Sequence, residues 1–178
     1  SGDSFTGSYL RPTADPYAPH LPAREHMDGV WATAGWSRQL GPDSHVELQT
    51  YFDHEMRRGP VFDERNETAD LDFQHVLPRW GVHTLTWGAG VRYSRDRLIT
   101  FSDVQVNPPA DSFWLSSAYV QDEINLFADR FTLAAGARIE DSNIGDRAVL
   151  PNLRGRVALS ERTAVWAAVA RGVRRPSR

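Results

Sequence analysis

The chain contains no cysteine among its 178 residues, which excludes disulfide bridges, thiol catalysis and thiolate metal sites. It has no strong excess of charge, and a formal net charge of −3 is not that of a nucleic-acid-binding protein. It has no apolar run near about 18 residues, which excludes a membrane-spanning helix but not a spanning β-strand of about 9–11 alternating residues. No cleavable signal is visible at Ser1, as expected for a mature or excised segment.

What the sequence does contain is a repeated alternation of apolar and polar residues, the period of a β-strand. Between Leu85 and Tyr93 every second residue is apolar, and small or polar residues lie between them. The pattern recurs from Phe131 to Ile139, and only residues 128–130 separate that segment from an earlier alternating run. In the earlier run, Asp122 alone interrupts the apolar face. This arrangement predicts a β-hairpin.

The whole chain predicts an all-β fold, an antiparallel meander of about eight strands. Short turns are expected near residues 42, 79, 129 and 161, and long polar connections near Pro60, Asn107 and Asn143. Outer-membrane barrels sort their loops in this way, with short periplasmic turns and long extracellular loops. The sequence therefore predicts part of a transmembrane β-barrel over residues 29–178. Residues 1–28, rich in proline, glycine and charge, are predicted to form a long extracellular loop or a disordered lead-in.

Two runs of residues resemble a known family. The segments YVQDEINLFADRFTLAAGARIED (residues 119–141) and VARGVRRPS (residues 169–177) are similar to the barrel of TonB-dependent outer-membrane receptors, and the similarity extends roughly from residue 88 to residue 178. The resemblance implies a large barrel of about 22 antiparallel strands, plugged by another domain. It also implies import of scarce nutrients such as ferric siderophores or cobalamin.

The resemblance further implies a set of partners and a location. No plug or TonB-box segment is recognisable, and no terminal aromatic strand follows Arg178, so we expect a fragment of a receptor that does not transport by itself. Its expected partners are the lipid of the bacterial outer membrane, the remaining barrel strands, the plug, and TonB acting through that plug. The expected role is not enzymatic, and no cofactor is implied.

The two faces of the strands are expected to meet lipid and lumen respectively. Aromatic residues near strand ends are typical of the girdles at membrane interfaces. Small residues on the polar faces suit a wide lumen better than a narrow, filled barrel. The aromatic residues expected in the girdles are Trp36, Phe52, Trp87, Trp114 and Trp166.

Arginines are the candidate ligand-binding residues, because a polar lumen lined by guanidinium groups attracts an anionic small molecule. The alternative is that these arginines pair with neighbouring carboxylates, as Arg138 would with Glu123 or Glu140. The candidates, on the lumenal faces or at external strand ends, are Arg92, Arg95, Arg138, Arg174 and Arg175.

Other catalytic or metal-binding interpretations have weaker support. The six histidines show no metal-ligand spacing. Asp70 and Asp72 share a strand face and permit a glycosidase-like pair or a calcium site, but ordinary lumenal polarity is the favoured interpretation. No serine has the context of a nucleophile, so no catalytic residue is assigned. Two other functions stay open: a small self-contained outer-membrane barrel, and a soluble carbohydrate-binding β-sandwich.

Overall fold

The computed structural model describes residues 2–11, 21–101, 106–127 and 130–173. These residues contain no helix and form one antiparallel sheet of nine strands, in which the order of strands is the order of the chain. The all-β antiparallel meander is confirmed. The strands are β1 (Gly2–Arg11), β2 (Leu21–Gly41), β3 (Ser44–Arg58), β4 (Phe62–Val76), β5 (His83–Thr100), β6 (Ala110–Leu126), β7 (Phe131–Ser142), β8 (Ala148–Ser160) and β9 (Thr163–Ala170).

The register of the sheet follows the alternation of the sequence. Between β6 and β7, Val120 lies opposite Ala137 and Tyr119 lies opposite Arg138, so apolar residues meet apolar residues on one face and polar residues meet on the other. A slip of one residue would mix the two faces on every strand, and this fixes the pairing. The one carboxylate on the apolar face of β6, Asp122, has a partner: its Oδ2 atom lies 2.6 Å from Nδ1 of His83.

Three of the expected short turns lie in the described part of the chain. Pro42 and Asp43 join β2 to β3, and Glu161 and Arg162 join β8 to β9. Trp80 and His83 exchange backbone hydrogen bonds of 3.0 Å in each direction, and Gly81 in this turn has a φ of 62°, which glycine adopts without strain. The fourth turn, near residue 129, lies outside the described residues.

The structure differs from the sequence prediction in two places, residues 1–28 and the connection near Pro60. The lead-in predicted for residues 1–28 includes β1 and the first residues of β2, which pair from Gly2 opposite Val30 to Arg11 opposite Leu21. The connection near Pro60, predicted to be long, has only three residues, because β3 ends at Arg58 and β4 begins at Phe62. The reason is the same in both cases: these strand segments are polar on both faces, so they show no alternation, yet their backbones still pair.

The apolar face of the sheet is exposed. Trp87, Val91 and Val120 are 41%, 48% and 47% exposed, whereas in the described part of the chain the buried apolar residues are three alanines, Ala23, Ala134 and Ala148. A soluble sandwich would cover this face with a second sheet, and the described strands all belong to one sheet. The sandwich alternative is therefore wrong for this part of the chain. Within these residues, no helix is long and apolar enough to cross a membrane.

The chain divides into two compact units. The first consists of Ser1–Thr33, Tyr51–Ala69 and Tyr93–Phe113. The second consists of Ala34–Thr50, Asp70–Arg92 and Trp114–Arg178. Each unit contains one surface of functional interest, and the two surfaces are described separately below.

Candidate functional site on the polar face

The second unit contains an open cavity of about 480 Å³ on the polar face of its strands. The lining residues come from strands β3, β4, β6, β7 and β8. The mixture of amide, carboxylate, phenol and guanidinium groups makes this a hydrogen-bonding wall. Its lining residues are Glu47, Gln49, Asp72, Phe73, Gln74, Tyr119, Arg138 and Asn152.

Glycines on neighbouring strands make room for the side chains of this wall. A Cβ atom on Gly88 would lie 2.6 Å from Cε1 of Tyr119 and 2.5 Å from the carbonyl oxygen of Phe73. A Cβ atom on Gly90 would collide with the carboxylate of Asp72. Tyr119 therefore lies across the backbone of Gly88, an arrangement in which an aromatic ring covers the gap that a strand glycine leaves. The small residues expected to widen a lumen instead receive the side chains of adjacent strands.

Arg138 and Tyr119 are held by hydrogen bonds on this wall. The phenol of Tyr119 donates to Oε1 of Gln74 at 2.7 Å. The guanidinium of Arg138 donates from Nη2 to the hydroxyl of Ser117 at 2.8 Å, and its Nε lies 3.1 Å from a carboxylate oxygen of Glu140. Arg138 thus has the carboxylate neighbour that the ion-pair alternative predicted, and it is Glu140.

Arg92 is also paired with a carboxylate. Its Nε donates to Oδ2 of Asp70 at 2.8 Å, and Asp70 is the more buried of the two side chains. Asp70 is one of the two carboxylates considered above for a glycosidase-like pair or a calcium site, and its ion pair with Arg92 engages it. In the described residues, no group of three or more histidine or carboxylate side chains is arranged to hold a metal ion.

The remaining candidate arginines lie elsewhere. Arg95 is exposed and lies in the first unit, on the face of β5 that bears Tyr93 rather than on the polar face of Arg92. Arg174 and Arg175 lie outside the described residues. The structure therefore places Arg92 and Arg138 on the polar face of the second unit, and it does not bring Arg95 to them.

The first unit has a cavity of its own, of about 400 Å³, which the sequence interpretation missed. Phe5 and Trp31 supply aromatic surface, and Asp3, Asp53 and Glu55 supply carboxylates. The sequence signal was hidden because Asp3 and Phe5 belong to β1, a strand without alternation. The carboxylates oppose the binding of a polyanion in this cavity, since like charges repel.

Comparison with known proteins decides the family. The family model described as "TonB dependent receptor-like, beta-barrel" matches residues 4–178. The chain belongs to the TonB-dependent receptor family. Among solved structures, this receptor segment is similar to the siderophore receptor PirA from Pseudomonas aeruginosa, with a TM-score of 0.55 and 17% sequence identity, over 95% of this chain and 38% of that one.

The receptor segment thus spans well under half the length of that solved structure. The search of curated proteins gave no match. The likeness to PirA establishes the fold: the sheet is part of a transmembrane β-barrel, whose exposed apolar face is the lipid face and whose polar face is the lumenal face.

The aromatic residues expected in the membrane-interface girdles lie only in part on the apolar face. Trp36, Phe52, Trp87 and Trp114 are at least 39% exposed and alternate in step with the apolar residues of their strands. Trp166, by contrast, lies opposite Arg156, on the polar face.

Proposed function

We propose that this chain is a wall segment of an outer-membrane receptor that imports a ferric siderophore-type ligand in a TonB-dependent manner. The observation that carries the proposal is the inverted polarity of a single sheet whose residues match the barrel of this receptor family. Its apolar residues are exposed, as lipid contact requires, and its polar face contains a hydrogen-bonding wall. The likeness to PirA, which is a siderophore receptor, supports the ligand class.

The arginines of the wall have a structural part in this proposal. Arg92 and Arg138 are neutralised by Asp70 and Glu140, so they orient neighbouring polar groups rather than offer free positive charge. Such a wall suits a surface against which a plug or a passing ligand moves, because its side chains are fixed in place before contact. An anion-binding role for Arg174 and Arg175 stays a prediction.

The segment does not transport by itself in this proposal. Uptake through a barrel needs a closed wall, a plug and energy delivered through TonB, and the described strands form an open sheet. Its partners are therefore the remaining strands, the plug, outer-membrane lipid and, through the plug, TonB.

The test is uptake of radioactive iron by cells that lack their own siderophore receptors. The chain as its gene encodes it is expressed in iron-starved cells and offered a panel of ferric hydroxamate, catecholate and carboxylate complexes. We expect saturable uptake of at least one complex, and its loss in an otherwise identical strain without TonB. Uptake of none of them, or uptake that persists without TonB, would remove the proposal. Expression of residues 1–178 alone is expected to give no uptake.

A further inference from the structure

The cavity of the first unit has an aromatic and apolar side, which β1 and β2 supply. Phe5 lies opposite Met27 in the register of these two strands. Trp31, four residues after Met27, lies on the same face of β2, because side chains alternate along a strand. All three residues line the cavity of about 400 Å³. Phe5 and Trp31 are 65% and 41% exposed, so their rings are accessible to a bound group.

The same cavity contains three carboxylates, those of Asp3, Asp53 and Glu55. Asp53 and Glu55 are half-buried and share one face of β3. Phe52, which alternates with them, is exposed on the apolar face, so Asp53 and Glu55 belong to the polar face. Within the described ranges, no basic side chain lies within ion-pair distance of the three carboxylates. Their negative charge is therefore not compensated by the protein.

The charged residues that surround these carboxylates have partners of their own. Asp28 also borders the cavity, and its Oδ1 atom lies 3.1 Å from Nε2 of His26. Arg57, further along the same face of β3, is paired with Glu25. The guanidinium carbon of Arg57 lies 5.1 Å from the centre of the Phe62 ring. The positive charge nearest along this strand face is thus engaged outside the cavity.

Gly29 leaves the middle of the cavity open. It lies opposite Asp3 in the pairing of β1 with β2. In the described part of the chain, the nearest atom to a Cβ built on Gly29, beyond its own chain neighbours, is the carbonyl oxygen of His54 at 3.9 Å. The space that a side chain would take at this position can be taken by a bound group. A cavity of this size suits a small organic group or one arm of a larger ligand.

The lining of the cavity favours an organic cation over a metal ion. A hard metal ion such as calcium takes about 6–8 oxygen ligands around it, whereas two rings and a methionine form much of this lining. An ammonium group is stabilised by the face of an aromatic ring and also by carboxylates nearby. The carboxylates alone would be surface charge. The rings and the open space between them match the chemistry of an ammonium group.

We propose that this cavity, the ammonium cavity, binds a positively charged ammonium group of an organic ligand. The inference rests on the proposed function for the source of the group, which is the ligand that the receptor imports. With short turns on the periplasmic side, as expected from the sequence, Asp53 and Glu55 lie toward the external end of β3. Negative charge there concentrates a cationic ligand at the entrance and disfavours an anionic one.

The experiment measures binding of a charged probe and an uncharged probe of the same shape. Choline and its isostere 3,3-dimethyl-1-butanol are titrated separately into the chain as its gene encodes it, in a non-ionic detergent, and binding is followed by ligand-observed NMR. We expect choline to bind about tenfold more tightly than the alcohol. In D53N/E55Q, the affinity for choline is expected to fall about tenfold while that for the alcohol is unchanged.

Two further variants separate the cavity from the overall charge. D43N/E161Q removes the same charge from two exposed turns of the second unit and is expected to bind choline as the unmodified protein does. G29L fills the cavity without changing its charge and is expected to weaken binding of both probes. Heat-modifiable gel mobility establishes that each variant is folded.

Three results would overturn the ammonium cavity. The first is equal affinity of the unmodified protein for choline and the alcohol, or no detectable binding of choline. The second is choline binding that D53N/E55Q leaves unchanged, and the third is choline binding that G29L leaves unchanged. Either of the last two would place the cation elsewhere on the protein.

Uptake by cells tests the source of the ammonium group. A linear ferric trihydroxamate with one free primary amine is compared with its N-acetylated derivative, which lacks the positive charge. We expect the charged complex to be taken up severalfold faster at low concentration. Equal uptake of the two would overturn the assignment of the group to the imported ligand. Absence of all iron uptake would contradict the proposed function, whereas choline binding to the purified protein would be unaffected.

Discussion

At the scale of single residues, the lumenal wall depends on its glycines as much as on its polar side chains. The sequence showed Gly88, Gly90 and Gly136 on the polar face, but it could not show which side chain each one accommodates. That depends on the register between strands distant in the chain, such as the approach of Tyr119 to Gly88. The partner of Arg92 was unknown for the same reason, whereas Glu140, two residues from Arg138 on the same strand, was one of the two partners that the sequence offered for Arg138.

Substitution of Gly88 by alanine tests this arrangement. The added Cβ atom would lie 2.5 Å from the carbonyl oxygen of Phe73, so Tyr119 and the backbone must shift. We expect the free energy of unfolding to fall by about 1–3 kcal/mol, the usual cost of overpacking. The measurement is the urea midpoint in detergent micelles, followed by tryptophan fluorescence.

Gly155 provides the matched control, because nothing lies within 4 Å of the position its Cβ would occupy. Gly155→Ala is expected to be neutral or to stabilise by about 0.5–1 kcal/mol, since it restricts the unfolded chain. Equal midpoints for the two variants would show that Tyr119 does not lie over Gly88.

At the scale of strands, the sequence predicted the segments in which contact with lipid requires apolar and polar residues to alternate. It did not predict the segments that lack this alternation. The segments from Leu85 to Tyr93 in β5 and from Phe131 to Ile139 in β7 are apolar at every second residue and were recognised. β1 and the end of β3 have polar residues on both faces, so their period is absent although their backbones pair. Hydrogen bonding of the backbone, which the sequence does not display, extends these strands.

Pro151 explains why the pairing of β8 with β9 ends where it does. The carbonyl oxygen of Pro151 accepts a hydrogen bond of 3.0 Å from the nitrogen of Arg171. In an antiparallel ladder such a pair exchanges two bonds, but proline has no N–H to return the second. The last pair within the two strands is Asn152 opposite Ala170.

Replacing Pro151 by valine supplies the missing donor. We expect the ladder to extend by one pair and the amide of Arg171 to exchange with solvent several-fold more slowly, measured by hydrogen–deuterium exchange with mass spectrometry. Leu153→Val, on the same face of β8, changes a side chain without adding a donor and should leave that exchange rate unchanged. No difference between the variants would mean that Pro151 does not limit the ladder.

At the scale of the whole molecule, polarity is inverted relative to a water-soluble protein. The large apolar side chains are exposed, and in the described residues the buried apolar positions are alanines. Lipid takes the place of a core, so a charge on the apolar face costs more than one on the polar face. The sequence predicted this inversion from loop lengths and resemblance, because alternation alone is the same in a sandwich.

Neighbouring residues of β3 allow a direct test. Leu48 is exposed on the apolar face, and Gln49 lines the polar cavity. Leu48→Lys is expected to reduce the free energy of unfolding in phosphatidylcholine vesicles by up to about 2–4 kcal/mol, the cost of a cation on the lipid-facing side of a strand. Gln49→Lys should change it by less than about 1 kcal/mol, since that side chain stays in water. If Gln49→Lys were the more damaging of the two, the assignment of the faces would be reversed.

The identity of strand order and chain order also has an evolutionary consequence. Each strand pairs with the strands next to it in the chain, so a barrel wall of this kind can gain or lose a hairpin without a new crossover. Two strands are the smallest such module, because removing one strand would reverse the direction of every strand after it. Barrels with different numbers of strands can therefore arise by duplication of hairpins, while the other strands keep their pairing and their apolar and polar faces.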